Sequence, residues 1–100
     1  MALKVTWTKN SLSHLEDILL YWDNRNGSKT YSHKLYNHFQ RGIDLLSRYP
    51  ETGRLTNNVQ IRKKTIKDYF LYYSFNEIEL TILGIVDMRR NPKFLRNFEE

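Results

Sequence analysis

Two strand-like runs decide the fold of this chain: Tyr69–Phe75, YFLYYSF, and Glu79–Val86, ELTILGIV. Basic clusters bracket them, with IRKK at Ile61–Lys64 on one side and DMRRNP at Asp87–Pro92 on the other. Strands that pair as neighbours bring residues distant in sequence onto one surface. The pattern therefore predicts a compact concave sheet with cations along its rim, suited to an anionic ligand or an acidic partner.

Strand signals extend on both sides of this pair. Leu3–Trp7 alternates apolar and polar residues, which predicts a first strand. After a polar connection that follows Pro50, we predict three more strands, at Val59–Lys64, Asp68–Phe75 and Glu79–Asp87. Alternation places Tyr69 and Tyr73 on one face of the third of the four strands and Tyr72 on the other. In the last strand, one face is predicted to hold Ile78, Leu80, Ile82, Gly84 and Val86.

Two helices are predicted between the first strand and the others. The first carries the apolar stripe Leu12, Leu15, Ile18, Leu19 and Trp22, and it starts at Thr8, at Asn10 or at a Ser13/Glu16 capping box. Gly27 is expected to end it, and Ser28 to cap the second helix. The second stripe comprises Tyr31, Leu35, Phe39, Ile43 and Leu46 and stops at Tyr49-Pro50. The prediction is one α+β domain over residues 1–100, ordered β-α-α-β-β-β, with a two-helix hairpin packed on one face of a small, mainly antiparallel sheet.

Composition narrows the functional classes. The chain has 100 residues, 40% of them hydrophobic, and no cysteine, which excludes disulfides, thiolate nucleophiles and cysteine-based zinc sites. No run approaches the roughly 18 apolar residues of a membrane span, and no signal-peptide pattern opens the sequence. We therefore expect a cytoplasmic location. The formal charge of +5 favours RNA, DNA or an acidic protein segment as a partner.

The cations are segregated from the acids in two segments. Between Thr52 and Lys67 there are five cations and no acid: Arg54, Arg62, Lys63, Lys64 and Lys67. Between Met88 and Phe98 there are four, again without an acid: Arg89, Arg90, Lys93 and Arg96. Each run is either a solvated face or a binding surface. Because both flank the predicted sheet, we expect them to converge on one exposed patch.

An ordered frame of residues runs through nearly the whole chain. Its parts are Val5-Thr6-Trp7-Thr8 before a helix, Ile43-x-x-Leu46-x-x-x-Pro50-x-x-Gly53-Arg54, Ile61-Arg62, Tyr69-x-Leu71-x-Tyr73 and Ile82-Leu83-x-Ile85-x-Asp87-x-Arg89-Arg90-Asn91-Pro92. This set resembles the RelE/ParE superfamily of bacterial type II toxins. The resemblance implies a sheet with helices packed on one face, and neutralisation by a cognate antitoxin whose acidic or amphipathic segment wraps the toxin.

The superfamily divides into two chemistries, and the chain departs from one of them. RelE-like members cut mRNA in the ribosome with Arg, Lys and Tyr side chains, whereas ParE-like members poison DNA gyrase. Arg89 matches the basic residue after the last strand, but Phe70 stands where RelE-like enzymes usually have Arg. The tail also lacks the expected tyrosine and has Phe94, Leu95 and Phe98 instead. The resemblance therefore slightly favours the ParE-like reading.

Candidate site residues follow from both readings. If the chain is a nuclease, Arg62, Lys64 and Arg89 would stabilise the phosphate during cleavage. The other candidate binding residues are Arg54, Lys63, Tyr72, Arg90 and Lys93. We expect Tyr72 to be more accessible than its neighbours in the core. Arg62 and Arg89 make either a functional contact or a structural ion pair with Asp87 or Asp68.

Three functions remain open: a gyrase-directed toxin, a ribosome-dependent mRNA endonuclease, and an inactive relative that only binds its antitoxin and represses their promoter. Operator DNA would then be bound indirectly, through the antitoxin. No cofactor, metal or membrane is expected. His33 and His38 diverge by about 140 degrees around a helix, His14 is expected to be an ordinary surface residue, and the four glycines form no phosphate-binding loop.

Overall fold

The computed structural model describes residues 2–89 and Phe98. Its elements are β1 Lys4–Trp7, α1 Lys9–Asn26, α2 Thr30–Arg48, a 3-10 turn Pro50–Thr52, β2 Arg54–Leu55, β3 Arg62–Ile66, β4 Tyr69–Phe75 and β5 Glu79–Asp87. The predicted α+β class, with a helical hairpin on a mainly antiparallel sheet, is confirmed. The two-residue strand β2 is additional, because so short a strand is too brief to show alternation.

Strand β5 organises the sheet, whose strand order is β1-β5-β4-β3-β2. It pairs antiparallel with β4 on one side and parallel with β1 on the other. Parallel neighbours cannot be joined by a tight turn, so the chain must cross over after β1. The α1–α2 hairpin makes this crossing and packs on β5, β3 and β1.

The core lies between the hairpin and one face of the sheet. Helix α2 contributes side chains that are at most 3% exposed, at the positions that its spacing predicts: Leu35, Phe39, Ile43 and Leu46. They belong to one cluster with four fully buried side chains of β4 and β5, Leu71, Tyr73, Leu80 and Ile82. Full burial of one large apolar side chain contributes roughly 1.5–3 kcal/mol, so this layer is the main source of stability.

The helix ends agree with the sequence only in part. Thr8 caps α1 by accepting the Ser11 N–H at 3.1 Å, and Gly27 ends the helix with φ of 64°. This start buries Ser11 and leaves Leu12 46% exposed, so the prediction of Leu12 in the apolar stripe is wrong. The prediction of Ser28 as the second cap is also wrong. Lys29 occupies that position without a side-chain hydrogen bond.

Strand β3 corresponds to the strand predicted at Val59–Lys64, but it begins later, at Arg62. The preceding residues close into a loop in which the Ile61 N–H donates to Asn58 O at 3.0 Å and the Thr56 hydroxyl lies 2.8 Å from Ile61 O. These local hydrogen bonds take the place of ladder bonds, because Ser, Thr and Asn residues compete with strand pairing. Val59 is 89% exposed as a result.

A β-bulge in β5 overturns the predicted face of that strand. Tyr72 stands opposite Gly84 and Tyr73 opposite Ile82, so Leu83 is an extra residue in β5. Beyond the bulge the alternation is inverted. Ile85 therefore joins the core, whereas Gly84 turns to the opposite face of the sheet, which we call the outer face.

The Tyr73 hydroxyl joins the sheet to the turn after α2. It donates a hydrogen bond to Pro50 O at 2.6 Å and accepts one from the Gly53 N–H at 3.0 Å. A side chain at Gly53 would collide with this hydroxyl, which explains the glycine. Both backbone groups depend on the phenol, so it is a structural anchor.

Removing this hydroxyl should destabilise the protein. We expect Tyr73→Phe to lower the free energy of unfolding by about 1–3 kcal/mol, because a buried donor and a carbonyl lose their partner. Tyr49→Phe is the matched control, since its side chain is 59% exposed. Urea denaturation followed by tryptophan fluorescence measures both, and equal small effects in the two variants would contradict the anchoring role.

Candidate functional site

Alternation in β3 splits its basic run between the two faces of the sheet. Arg62 and Lys64 stand opposite Tyr73 and Leu71, which belong to the core, so their side chains lie on the helix side. Lys63 stands opposite Tyr72 and lies on the outer face. Consecutive cations therefore do not form one cluster.

Arg62 is engaged with the backbone. One guanidinium nitrogen donates to Glu51 O and Gly53 O, each at 3.0 Å. The guanidinium carbon also lies 5.9 Å from the centre of the Phe75 ring, within reach of a cation–π interaction. Arg62 thus holds the segment between α2 and β2 against the sheet, and the predicted ion pair with Asp87 or Asp68 is not the contact it makes.

Arg89 forms an ion pair with Asp87, one of the two structural partners that the sequence analysis considered for it. Its Nε lies 3.1 Å from Asp87 Oδ1, and its terminal nitrogen lies 3.0 Å from Asp87 Oδ2. The Arg89 backbone N–H also donates to Asp87 Oδ1, at 2.8 Å. These hydrogen bonds raise the pKa of the Arg89 guanidinium above its usual range. The side chain nevertheless remains 70% exposed, so a ligand can reach it.

The sheet register separates the cations predicted to act together. Arg62 stands level with Tyr73, whereas Asp87, which pairs with Arg89, stands opposite Tyr69. Four residues of β4 separate these two levels, which is on the order of 13 Å at about 3.3 Å per residue, and β4 itself lies between the two strands. The Lys64 side chain extends toward α2, since its Cε would lie 3.7 Å from a Cβ added to Gly42 of that helix. The structure does not bring Arg62, Lys64 and Arg89 together.

Three predicted binding residues do share the outer face. Arg54 stands opposite Lys63, and Lys63 stands opposite Tyr72, so the three form a row across β2, β3 and β4. The Lys63 ammonium lies 4.5 Å from the centre of the Phe70 ring. Arg90 and Lys93 lie outside the described residues.

Tyr72 is covered, so the expectation of an accessible ring is wrong. The side chain is 0% exposed, and the Phe98 ring stacks on it at 4.7 Å with an interplanar angle of 13°. Gly84 leaves the space that Phe98 occupies, since a Cβ there would stand 2.5 Å from Phe98 Cζ. Burial of Tyr72 requires a side chain from the far end of the chain, which alternation within one strand does not reveal.

His14 has a structural role that its sequence position does not signal. Strand β1 ends at Trp7, and α1 continues along the edge of β5. There His14 Nδ1 accepts the Ile85 N–H at 3.2 Å, as a neighbouring strand would. The accepting nitrogen carries no proton, so the ring is in the neutral form protonated at Nε2. The expectation of an ordinary surface histidine is wrong.

A cavity of about 840 Å³ lies between α1 and the end of β5. Its lining includes Tyr21, Tyr69, Val86, Arg89 and Phe98. The Tyr69 hydroxyl accepts the Trp22 indole N–H at 2.8 Å. Burial raises the pKa of both the Tyr69 and the Tyr73 phenols above its ordinary value.

Residues 2–89 and Phe98 contain neither a cluster of metal ligands nor a membrane-spanning helix. No three His, Cys, Asp or Glu side chains in that part of the chain lie close enough to hold a metal ion. No helix described there combines the length and the apolar character needed to cross a membrane.

Comparison with known proteins identifies similar folds. The family model described as the ParE toxin of type II toxin-antitoxin system, parDE, matches residues 5–92. The solved structure described as the chromosomal ParDE TA system from P. aeruginosa is similar with a TM-score of 0.72 and 16% identity. That similarity covers 86% of this chain and 96% of the other. No curated protein matches the sequence significantly.

The contact between Gly84 and Phe98 can be tested by a double-mutant cycle. We expect Gly84→Ala to cost about 1–3 kcal/mol of stability, because the added methyl overpacks the Phe98 ring. In a Phe98→Ala background the same substitution should cost clearly less, since the obstructing ring is gone. Chemical denaturation of the four proteins gives the coupling energy, and additive effects would show that Phe98 does not lie on Gly84.

Proposed function

Because the chain belongs to the ParE toxin family of type II toxin–antitoxin systems, we propose that it stops growth by binding DNA gyrase, and that a cognate antitoxin neutralises it. The toxin acts in this proposal as a ligand of a large macromolecular target. RNA cleavage is the alternative chemistry within the superfamily. The arrangement of the cations supports the first over the second.

The single observation that carries this choice is the separation of the proposed phosphate-binding cations. Cleavage of RNA needs charge stabilisation and proton transfer at one phosphate. Arg62 is held by two backbone carbonyls, and Arg89 is paired with Asp87, which lies across β4 and on the order of 13 Å further along the sheet. Phe70 cannot bind a phosphate, and Tyr72 is covered by Phe98. These positions support binding rather than phosphate chemistry.

The antitoxin proposal rests on charge and on exposed apolar side chains. The chain carries a formal charge of +5, which suits an acidic partner segment. The helical hairpin also exposes large apolar side chains, with Leu20 at 57%, Tyr21 at 53%, Leu45 at 45% and Tyr49 at 59%. An amphipathic segment would remove them from water and thereby contribute affinity.

Induction of the chain alone should arrest growth, with DNA synthesis failing before protein synthesis. Purified chain should inhibit the supercoiling of relaxed plasmid by gyrase, because the proposal places its action at that enzyme. Pulse labelling with thymidine and with leucine, together with the supercoiling assay, measures this. Early loss of leucine incorporation with new mRNA ends would favour the nuclease. Unimpaired growth would favour a relative that only binds its antitoxin.

Two variants separate the charge of Arg89 from its structural ion pair. We propose that the exposed Arg89 side chain contacts the target, and we therefore expect Arg89→Gln to reduce growth inhibition and gyrase inhibition at least tenfold. Asp87→Asn breaks the same ion pair but keeps that cation, and it should remain inhibitory. Thermal denaturation checks that both variants fold. Equal loss in both would assign Arg89 a structural role only.

A further inference from the structure

A row of basic residues follows the junction between α2 and β3, and it includes Lys64 of the candidate site described above. Lys34, His38 and Arg41 recur at i, i+4 and i+7 on α2, so they share one side of the helix. Lys64 and Lys67 belong to β3 and the turn after it. Together these five residues are called the basic seam.

Contacts between the two elements hold the basic seam together. A Cβ on Gly42, next to Arg41, would stand 2.6 Å from Ile66 Cδ1 and 3.7 Å from Lys64 Cε. The glycine therefore lets β3 approach α2 closely. Lys67 follows Ile66 directly, with φ of 56°, and the positive charges of Lys67 and Arg41 both act on His38.

The positive charge of the basic seam is not neutralised by carboxylates among residues 2–89. The ion pairs of that part of the chain are Arg48 with Asp44 and Arg89 with Asp87, and neither includes a seam residue. Burial, Lys67 and Arg41 together lower the pKa of His38. The Lys and Arg side chains of the seam therefore give this region a net positive charge.

We propose that the basic seam binds the phosphate backbone of double-stranded DNA. Lys34 to Arg41 spans about 10 Å at roughly 1.5 Å per residue of helix. One strand of a duplex presents about three phosphates over that length, at roughly 3.4 Å each. Lys64 and Lys67 form a second line beside the helix, as contacts on both sides of a backbone would require. The toxin thus touches DNA directly, and not only through a protein partner.

A phosphate backbone fits the basic seam better than an amphipathic peptide does. A peptide that docks on a helix surface needs apolar anchors at regular spacing. Leu45 is the exposed large apolar residue on this side of α2, and it lies one turn beyond Arg41, at the end of the row. Phosphate contacts need only cations and do not read sequence. Binding should therefore be independent of sequence and sensitive to salt.

Fluorescence anisotropy with a labelled 20-base-pair duplex of mixed sequence tests the proposal on the full chain. The wild type should bind with a slope of log K against log salt near −3, as expected for about three neutralised phosphates. Arg41→Gln/Lys67→Gln should flatten the slope by about 2 and weaken binding at least tenfold at low salt. A second variant, Lys34→Gln/Arg41→Gln, should behave in the same way.

Lys4→Gln/Lys9→Gln is the matched control. Both lysines are exposed: Lys4 lies in β1, three strand positions from β3, and Lys9 is the first residue of α1. The variant has the same net charge as the seam variants. It should bind within about twofold of the wild type, and circular dichroism should show that every variant is folded.

Four outcomes would overturn the proposal. These are absence of DNA binding, equal losses in the seam and control variants, a slope that the seam variants leave unchanged, and displacement of the duplex by equimolar decaglutamate. The last would assign the seam to an acidic peptide. Gyrase inhibition by the wild type tests the proposed function separately: a wild type that inhibits gyrase without binding the duplex would refute the seam proposal alone, and one that binds the duplex without inhibiting gyrase would refute the gyrase proposal alone.

Discussion

The pairing of β5 with two strands of opposite direction is the constraint on which the rest of the structure depends. Its antiparallel partner β4 precedes it by a tight turn. Its parallel partner β1 comes 75 residues earlier in the sequence, since Trp7 pairs with Ile82. The parallel pair forces a crossover. The helical hairpin is that crossover, so its position on one face follows from the direction of β1, and the opposite face is left for other contacts.

The extra residue Leu83 determines which side chains of β5 lie on that outer face. Before the bulge, β5 directs Leu80 and Ile82 into the core, and after it, Ile85 takes over that role. The inversion places Gly84 on the outer face, where its lack of a side chain admits the Phe98 ring against Tyr72. One inserted residue thus converts the predicted binding tyrosine into a buried one. Bulges are frequent beside functional sites because they change the face to which the following side chains point.

Individual residues show how far sequence reasoning extended into the site. The ion pair of Arg89 with Asp87 could be anticipated, because residues two apart at a strand end are local neighbours. The contacts of Arg62 with Glu51 O and Gly53 O could not be, since backbone carbonyls carry no sequence signature. The hydrogen bond of His14 with the Ile85 N–H could not be predicted either, because it depends on where β1 ends relative to β5.

The sequence by itself determined the fold class, the helical hairpin with its Gly27 terminator, the apolar stripe of α2 and the cationic character of the molecule. Each of these is a local property, set by periodicity, by backbone freedom or by composition. The tertiary structure alone decided which cations are neighbours. Strand register separates Arg62 from Arg89, and the packing of α2 on β3 at Gly42 brings Arg41 near Lys64 and Lys67. Register is a relation between distant segments, and no single segment encodes it.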